Sequence, residues 1–83
     1  MKRNNQFLRT FGRIVAAKRR ELGISQEELA HRAKINRTYI GDIERGARNM
    51  AALNIVKLCV ALQTTPSSLF AKVEKVLGPK IQP

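Results

Sequence analysis

Between Arg37 and Asn49 the sequence reads RTYIGDIERGARN, and its polar side chains offer a narrow, definable chemistry. Arg37, Arg45 and Arg48 each carry a planar fork of donors, suited to paired acceptors on a rigid edge or to phosphate oxygens. Asp42 can only accept, whereas Thr38, Tyr39 and Asn49 can donate or accept. This is chemistry for recognition. The chain has one Cys and one His, so nucleophile, base and orienting acid cannot be assembled, and no enzyme is expected. A Cys/His metal set and an intrachain disulfide are equally excluded, and no cofactor is called for. Cys59, between Leu58 and Val60, reads as a small apolar core residue.

The elements that must position these groups are helical throughout, because period-two alternation is absent. Phe7, Leu8, Phe11, Ile14, Val15 and Leu22 recur at three- and four-residue steps, predicting a first helix over residues 6–22 that Gly23 stops. Ser25 opens a second helix as its cap, with Glu28 placed to reach back in a capping box. Leu29, Ala30 and Ala33 face inward. Only Lys34, Ile35 and Asn36 separate this helix from the next, which Asn36 caps. Two helices joined by so short a turn form a helix-turn-helix. The third helix, residues 37–45, turns Ile40 and Ile43 inward with Glu44 beside them. Thr38, Gly41, Asp42 and Arg45 point the opposite way, Arg37 projects from the first turn, and Gly46 ends the helix.

A fourth helix is predicted over residues 51–62, capped by Asn49, with Ala52, Ile55, Leu58, Cys59 and Leu62 as its core stripe. Leu53, Val56 and Val60 form a second apolar row on it. The fifth begins with Thr65 as cap and Pro66 in the first helical position, and carries Leu69, Phe70, Val73, Val76 and Leu77 to Gly78. The whole is an all-α, compact five-helix bundle. One domain is expected over residues 1–83, ordered over about 6–77, with the ends MKRNNQ and GPKIQP frayed.

Sixteen Lys and Arg against six Asp and Glu give a net charge of +10. Twelve of the bases and five of the acids lie in residues 1–48, so the excess sits with the helix pair. Such a density favours a phosphate backbone or an anionic surface as partner. Charges break every apolar run near the start, so neither a signal peptide nor a membrane span is expected. Cysteine usage points to a reducing cytoplasm.

The helix pair resembles that of the lambda-type repressors, often called the xenobiotic-response-element family. The matching residues are Gln26, Leu29 and Ala30, Ile35 in the turn, then Ile40, Ile43, Glu44 and the tail ERGARN, within a match over about residues 7 to 70. RTYIGDIERGARN is also similar to the controller proteins of restriction-modification systems. The resemblance implies a lambda-repressor-like five-helix fold in which Ala30 permits close approach of helices two and three. It further implies an ion pair between Arg19 and Glu44, and a phosphate contact from Gln26. Glu44 lies beside the apolar edge, where an unpaired carboxylate is costly, which agrees with a structural role. Lys34 departs from the family, where Gly is frequent because the backbone there tends to be left-handed. A non-Gly residue in that conformation costs about 1–2 kcal/mol.

The expected function is sequence-specific binding of double-stranded DNA by a transcriptional regulator, with helix three in the major groove. Arg37 can pair with guanine O6 and N7 or grip a phosphate at the groove edge, and Thr38 can meet a thymine methyl or a phosphate. Asp42 can accept from cytosine N4 and exclude other bases, or pair with Arg45 or Arg37. Tyr39, Arg45, Arg48 and Asn49 are candidates for backbone contacts that set register. A single such helix reads few base pairs, so a homodimer on a palindromic operator is expected. Leu53, Val56 and Val60, with Val76 and Leu77, form the candidate interface. No small-molecule ligand or membrane partner is expected, and the location is the cytoplasm, at the nucleoid of a prokaryote. The rival readings are an antitoxin or an adaptor using the same fold mainly for protein–protein contacts. RNA binding finds little support, because Tyr39 is the one Tyr or Trp and the three Phe fit core positions.

Overall fold

A computed structural model of the chain describes residues 5–80. The order is α1 (Gln6–Glu21), α2 (Gln26–Ala33), α3 (Arg37–Glu44), α4 (Ala52–Ala61) and α5 (Pro66–Leu77), closed by a 3-10 turn at Gly78–Lys80. Among the described residues there is no strand. Of the ends MKRNNQ and GPKIQP expected to fray, residues 1–4 and 81–83 lie outside the described residues, while Asn5 caps α1, Gln6 begins it and Gly78–Lys80 form the closing turn.

Local capping sets most of these boundaries. Asn5 Oδ1 accepts from the Leu8 amide at 2.9 Å to start α1, and left-handed Gly23 (φ +74) turns the chain out of it. Ser25 Oγ accepts from the Glu28 amide at 3.0 Å, but the expected capping box stays half made. The Glu28 carboxylate takes Arg32 Nε at 2.9 Å instead, a charged partner one turn along on the same face. That hydrogen bond holds Glu28 below the usual carboxylate range. Asn36 Oδ1 caps α3 through the Thr38 amide at 2.7 Å, and Thr65 Oγ1 caps α5 through Ser68 at 3.1 Å.

Helix α4 departs from expectation. It begins at Ala52 behind an extended Ala51 that makes no side-chain cap, so Asn49 lies too far upstream to serve. Ala52, expected in the core, is exposed, because the chain turns inward only at Ile55 and Leu58.

The core draws on every helix. Val15, Leu29, Ile40, Leu58, Leu62 and Val73 are fully buried, and Phe11, Ile43 and Leu69 nearly so. Phe7, Phe11 and Phe70 stack on one another at centroid distances of 6.2, 6.0 and 5.7 Å, tying α5 to α1. Each such side chain taken from water contributes about 1.5–3 kcal/mol. The α1–α3 crossing depends on Gly12: a Cβ there would sit 2.2 Å from the Ile43 carbonyl oxygen and 2.7 Å from that of Glu44. The missing side chain lets α1 lie directly on the end of α3.

Candidate nucleic-acid interface

Two short helices with a three-residue turn carry the site, so the turn decides how α3 is presented. Lys34 adopts the left-handed conformation (φ 58, ψ 44), and the next amide, Ile35, donates to the Ala30 carbonyl at 3.0 Å. That closes the C-terminus of α2 and folds Ile35 against the core. The left-handed geometry frequent in the family is therefore present with Lys in place of Gly, at a cost of about 1–2 kcal/mol. Ala30 is buried where the two helices meet.

Helix α3 is fixed from behind by a polar clamp. Arg19 Nε and Nη2 donate to Glu44 Oε2 and Oε1 at 2.7 and 3.1 Å, while Arg19 Nη1 donates to the Ile24 carbonyl at 2.9 Å. The side chains are only 12% and 7% exposed. The hydrogen bond that Arg19 donates to Glu44, reinforced by the carboxylate's charge, raises the Arg19 pKa beyond its ordinary value. Gln26 Nε2 completes the set, donating to Glu44 Oε1 at 2.8 Å. Gln26, expected at a phosphate, gives its amide nitrogen to the clamp, and its Oε1 lies 3.8 Å from where a Gly41 Cβ would stand. Gly41 is buried under the Gln26 and Arg45 side chains, not open on the outer face as the helical projection placed it.

On the outer side, Arg37 and Thr38 are exposed, and neither makes a side-chain hydrogen bond or ion pair among the described residues. Tyr39 is half-buried on the flank, its hydroxyl accepting from Asn54 Nδ2 at 3.2 Å, and the Arg48 guanidinium lies 4.6 Å from its ring centre. Asp42 pairs with both Arg45 and Arg48. The Arg45 pairing is one that helical spacing offers; the Arg48 pairing depends on the path of the loop after α3. Asn49 is exposed in that loop. Between the turn and α4 lies an open depression of about 440 Å³ lined by Lys34, Asn36, Thr38, Tyr39, Arg48 and Asn54 among others. It brings two cations and several neutral donors together beside the exposed start of α3.

Away from this surface, Leu53, Val56, Val60 and Val76 are large apolar side chains left 46–71% exposed. They come from α4 and α5; Leu77, expected with them, is half-buried against the core.

A helix-turn-helix clamped from behind, with free polar groups in front, defines a lambda-repressor-type regulator fold. The chain belongs to the helix-turn-helix family, whose model matches residues 15–69; its members are DNA-binding transcriptional regulators, not enzymes. Within it, the chain is similar to control proteins. It is 50% identical over 46 residues to the control protein C.BamHI of Bacillus amyloliquefaciens, a stretch that is 55% of this chain and 57% of that one. It is 32% identical over 72 residues to the control protein C.MunI of a Mycoplasma species, covering 87% of this chain and 97% of that one. Its structure resembles that of the restriction-modification controller C.Esp1396I, solved as a tetramer in complex with its natural 35 base-pair operator. There the TM-score is 0.76 and the identity 29%, over 83% of this chain and 91% of the other.

Proposed function

We propose that this chain is a single helix-turn-helix domain that regulates transcription as a controller-type protein. It binds a palindromic operator as a homodimer, in the cytoplasm at a prokaryotic nucleoid, with α3 in the major groove. The observation that carries this reading is the contrast between the two sides of α3. Its inner side is locked by Arg19, Glu44 and Gln26, while Arg37 and Thr38 stand exposed on the outer side. Arg37 reads guanine by a bidentate contact and Thr38 meets a neighbouring base or phosphate. Tyr39, Arg45, Arg48 and Asn49 hold the backbone and set register. Gln26 reaches a phosphate at the start of α2 only through whatever hydrogen-bonding capacity the clamp leaves it. The relative bound to operator DNA as a tetramer supports a DNA partner and an assembly of more than one copy.

The apolar row on α4 and α5 supplies the dimer surface. Exposed Leu53, Val56, Val60 and Val76 are too many large hydrophobes on adjoining helices for a surface facing only water. A two-fold arrangement places the two α3 helices about one DNA turn apart, about 34–36 Å.

Gel shifts with two variants test the groove reading. Arg37→Ala flattens the preference at one base pair of each half-site. Arg48→Ala weakens operator binding and lowers its salt slope by about 0.9 while leaving the base preferences of the half-site unchanged. Operator affinity unchanged in both variants rules the reading out. The interface is tested separately by sedimentation of Val60→Lys: the expected result is a monomer, and an unaltered dimer excludes this face.

A further inference from the structure

Asp42 is an acid on a surface that faces a polyanion, and its surroundings show what it does there. One carboxylate oxygen takes Arg45 and the other takes Arg48 Nη2 at 2.9 Å, so each oxygen is already engaged by an arginine. The carboxylate is recessed, with its side chain 18% exposed, while the two arginine side chains around it are 67% and 47% exposed. Arg48 is held a second time by the ring of Tyr39, and Tyr39 by Asn54. A continuous polar chain thus runs from the end of α3, across the loop, to α4. Each guanidinium gives Asp42 a single nitrogen, which leaves donors on both for phosphate oxygens.

We propose that Asp42 is a positioning residue that sets sequence discrimination without touching a base. It holds Arg45 and Arg48 in the one arrangement that fits the backbone of a correctly seated operator, and its charge offsets their pull on any other DNA. The inference rests on the DNA-binding reading above and adds to it. Binding to non-operator DNA is almost wholly electrostatic, so a carboxylate at the contact surface weakens it in full. On the operator the same charge is offset by arginines that need no ordering when they meet phosphate. A removed carboxylate therefore acts in opposite directions on the two kinds of DNA.

The test compares wild type, Asp42→Asn, Arg45→Ala/Arg48→Ala and the triple variant, each by selection from a random duplex library and by titration of operator and non-operator duplexes. Thermal melting establishes that each variant is folded. For Asp42→Asn the ratio of operator to non-operator affinity falls about tenfold, and the salt slope on non-operator DNA steepens by up to about 0.9. The base preferences of the selected sites keep their wild-type pattern at every position. In the background lacking both arginines, Asp42→Asn changes the ratio less than twofold, an outcome a merely structural role would not produce. Lost preference at one base pair of each half-site, with the ratio otherwise intact, makes Asp42 a base reader and overturns the proposal. An equal effect in the background without the arginines overturns it too. If the wild-type protein itself selects no sequence, the DNA-binding reading fails first, and the role of Asp42 with it.

Discussion

Glu44→Ala is the substitution whose cost the structure defines most closely. The carboxylate receives three donors, Arg19 Nε, Arg19 Nη2 and Gln26 Nε2, at 2.7, 3.1 and 2.8 Å. Truncation leaves the Arg19 guanidinium in a site where only 12% of its side chain meets solvent. Its one remaining partner is the Ile24 carbonyl. Breaking such a pair from one side costs about 3–5 kcal/mol, and some relief through water at the rim points to the lower figure, about 3. A domain of this size has roughly 4–12 kcal/mol in all, so the variant loses a quarter or more of its stability. Urea unfolding followed by circular dichroism reads this as a midpoint lowered by about 1–3 M. Replacing both partners, Arg19→Met with Glu44→Leu, removes the stranded charge and recovers most of the loss. A cost below about 1 kcal/mol for Glu44→Ala, or a double variant weaker than the single one, refutes the reasoning.

Other perturbations follow from particular contacts. Gly12→Ala gains up to about 1 kcal/mol of helix propensity but sets a methyl 2.2 Å from the Ile43 carbonyl oxygen. Overpacking of about 1–3 kcal/mol wins, so the melting temperature falls and operator affinity with it, as α3 is pushed from α1. Lys34→Gly relieves the left-handed backbone (φ 58) and stabilises by about 0.5–1 kcal/mol once the greater freedom of unfolded glycine is subtracted; a lower urea midpoint would count against it. Burial pushes the Cys59 thiol up from its ordinary value. Because the folded pKa is the higher, stability is intact below the ordinary thiol range and declines as pH climbs through it toward the folded value. Accordingly the thiol reacts slowly with an aromatic disulfide reagent at pH 8 and fast in denaturing urea, and equal rates would contradict its burial.

What the sequence reveals here is what neighbours along the chain decide. Ser25, Asn36 and Thr65 cap because a short polar side chain meets the amides of the very next turn, and Gly23 and Gly46 mark left-handed stops. The core stripes are equally legible, since helical spacing alone puts Val15, Leu29, Ile40 and Leu58 inward. Gly12 was not, because its need for an absent side chain comes from a carbonyl on α3. Both ends of α4 lie within one residue of the expected 51–62, but the Asn49 cap does not form, since no side chain caps this helix. At the site, periodicity identifies which residues face outward but not where the loop after Gly46 carries Arg48. The bridge from Asp42 to Arg48 and the stacking on Tyr39 therefore appear only in three dimensions. For Gln26, a place at a helix start suggests an anion, and only the folded chain adds that its amide also donates to the Glu44 carboxylate.

The most direct test of the central claim is selection of bound duplexes by the wild-type protein from a fully random library. The account predicts enrichment of a palindrome whose half-sites lie about one helical turn, roughly 10–10.5 base pairs, apart. Recovery of sequences without two-fold symmetry, or of none above background, would contradict it.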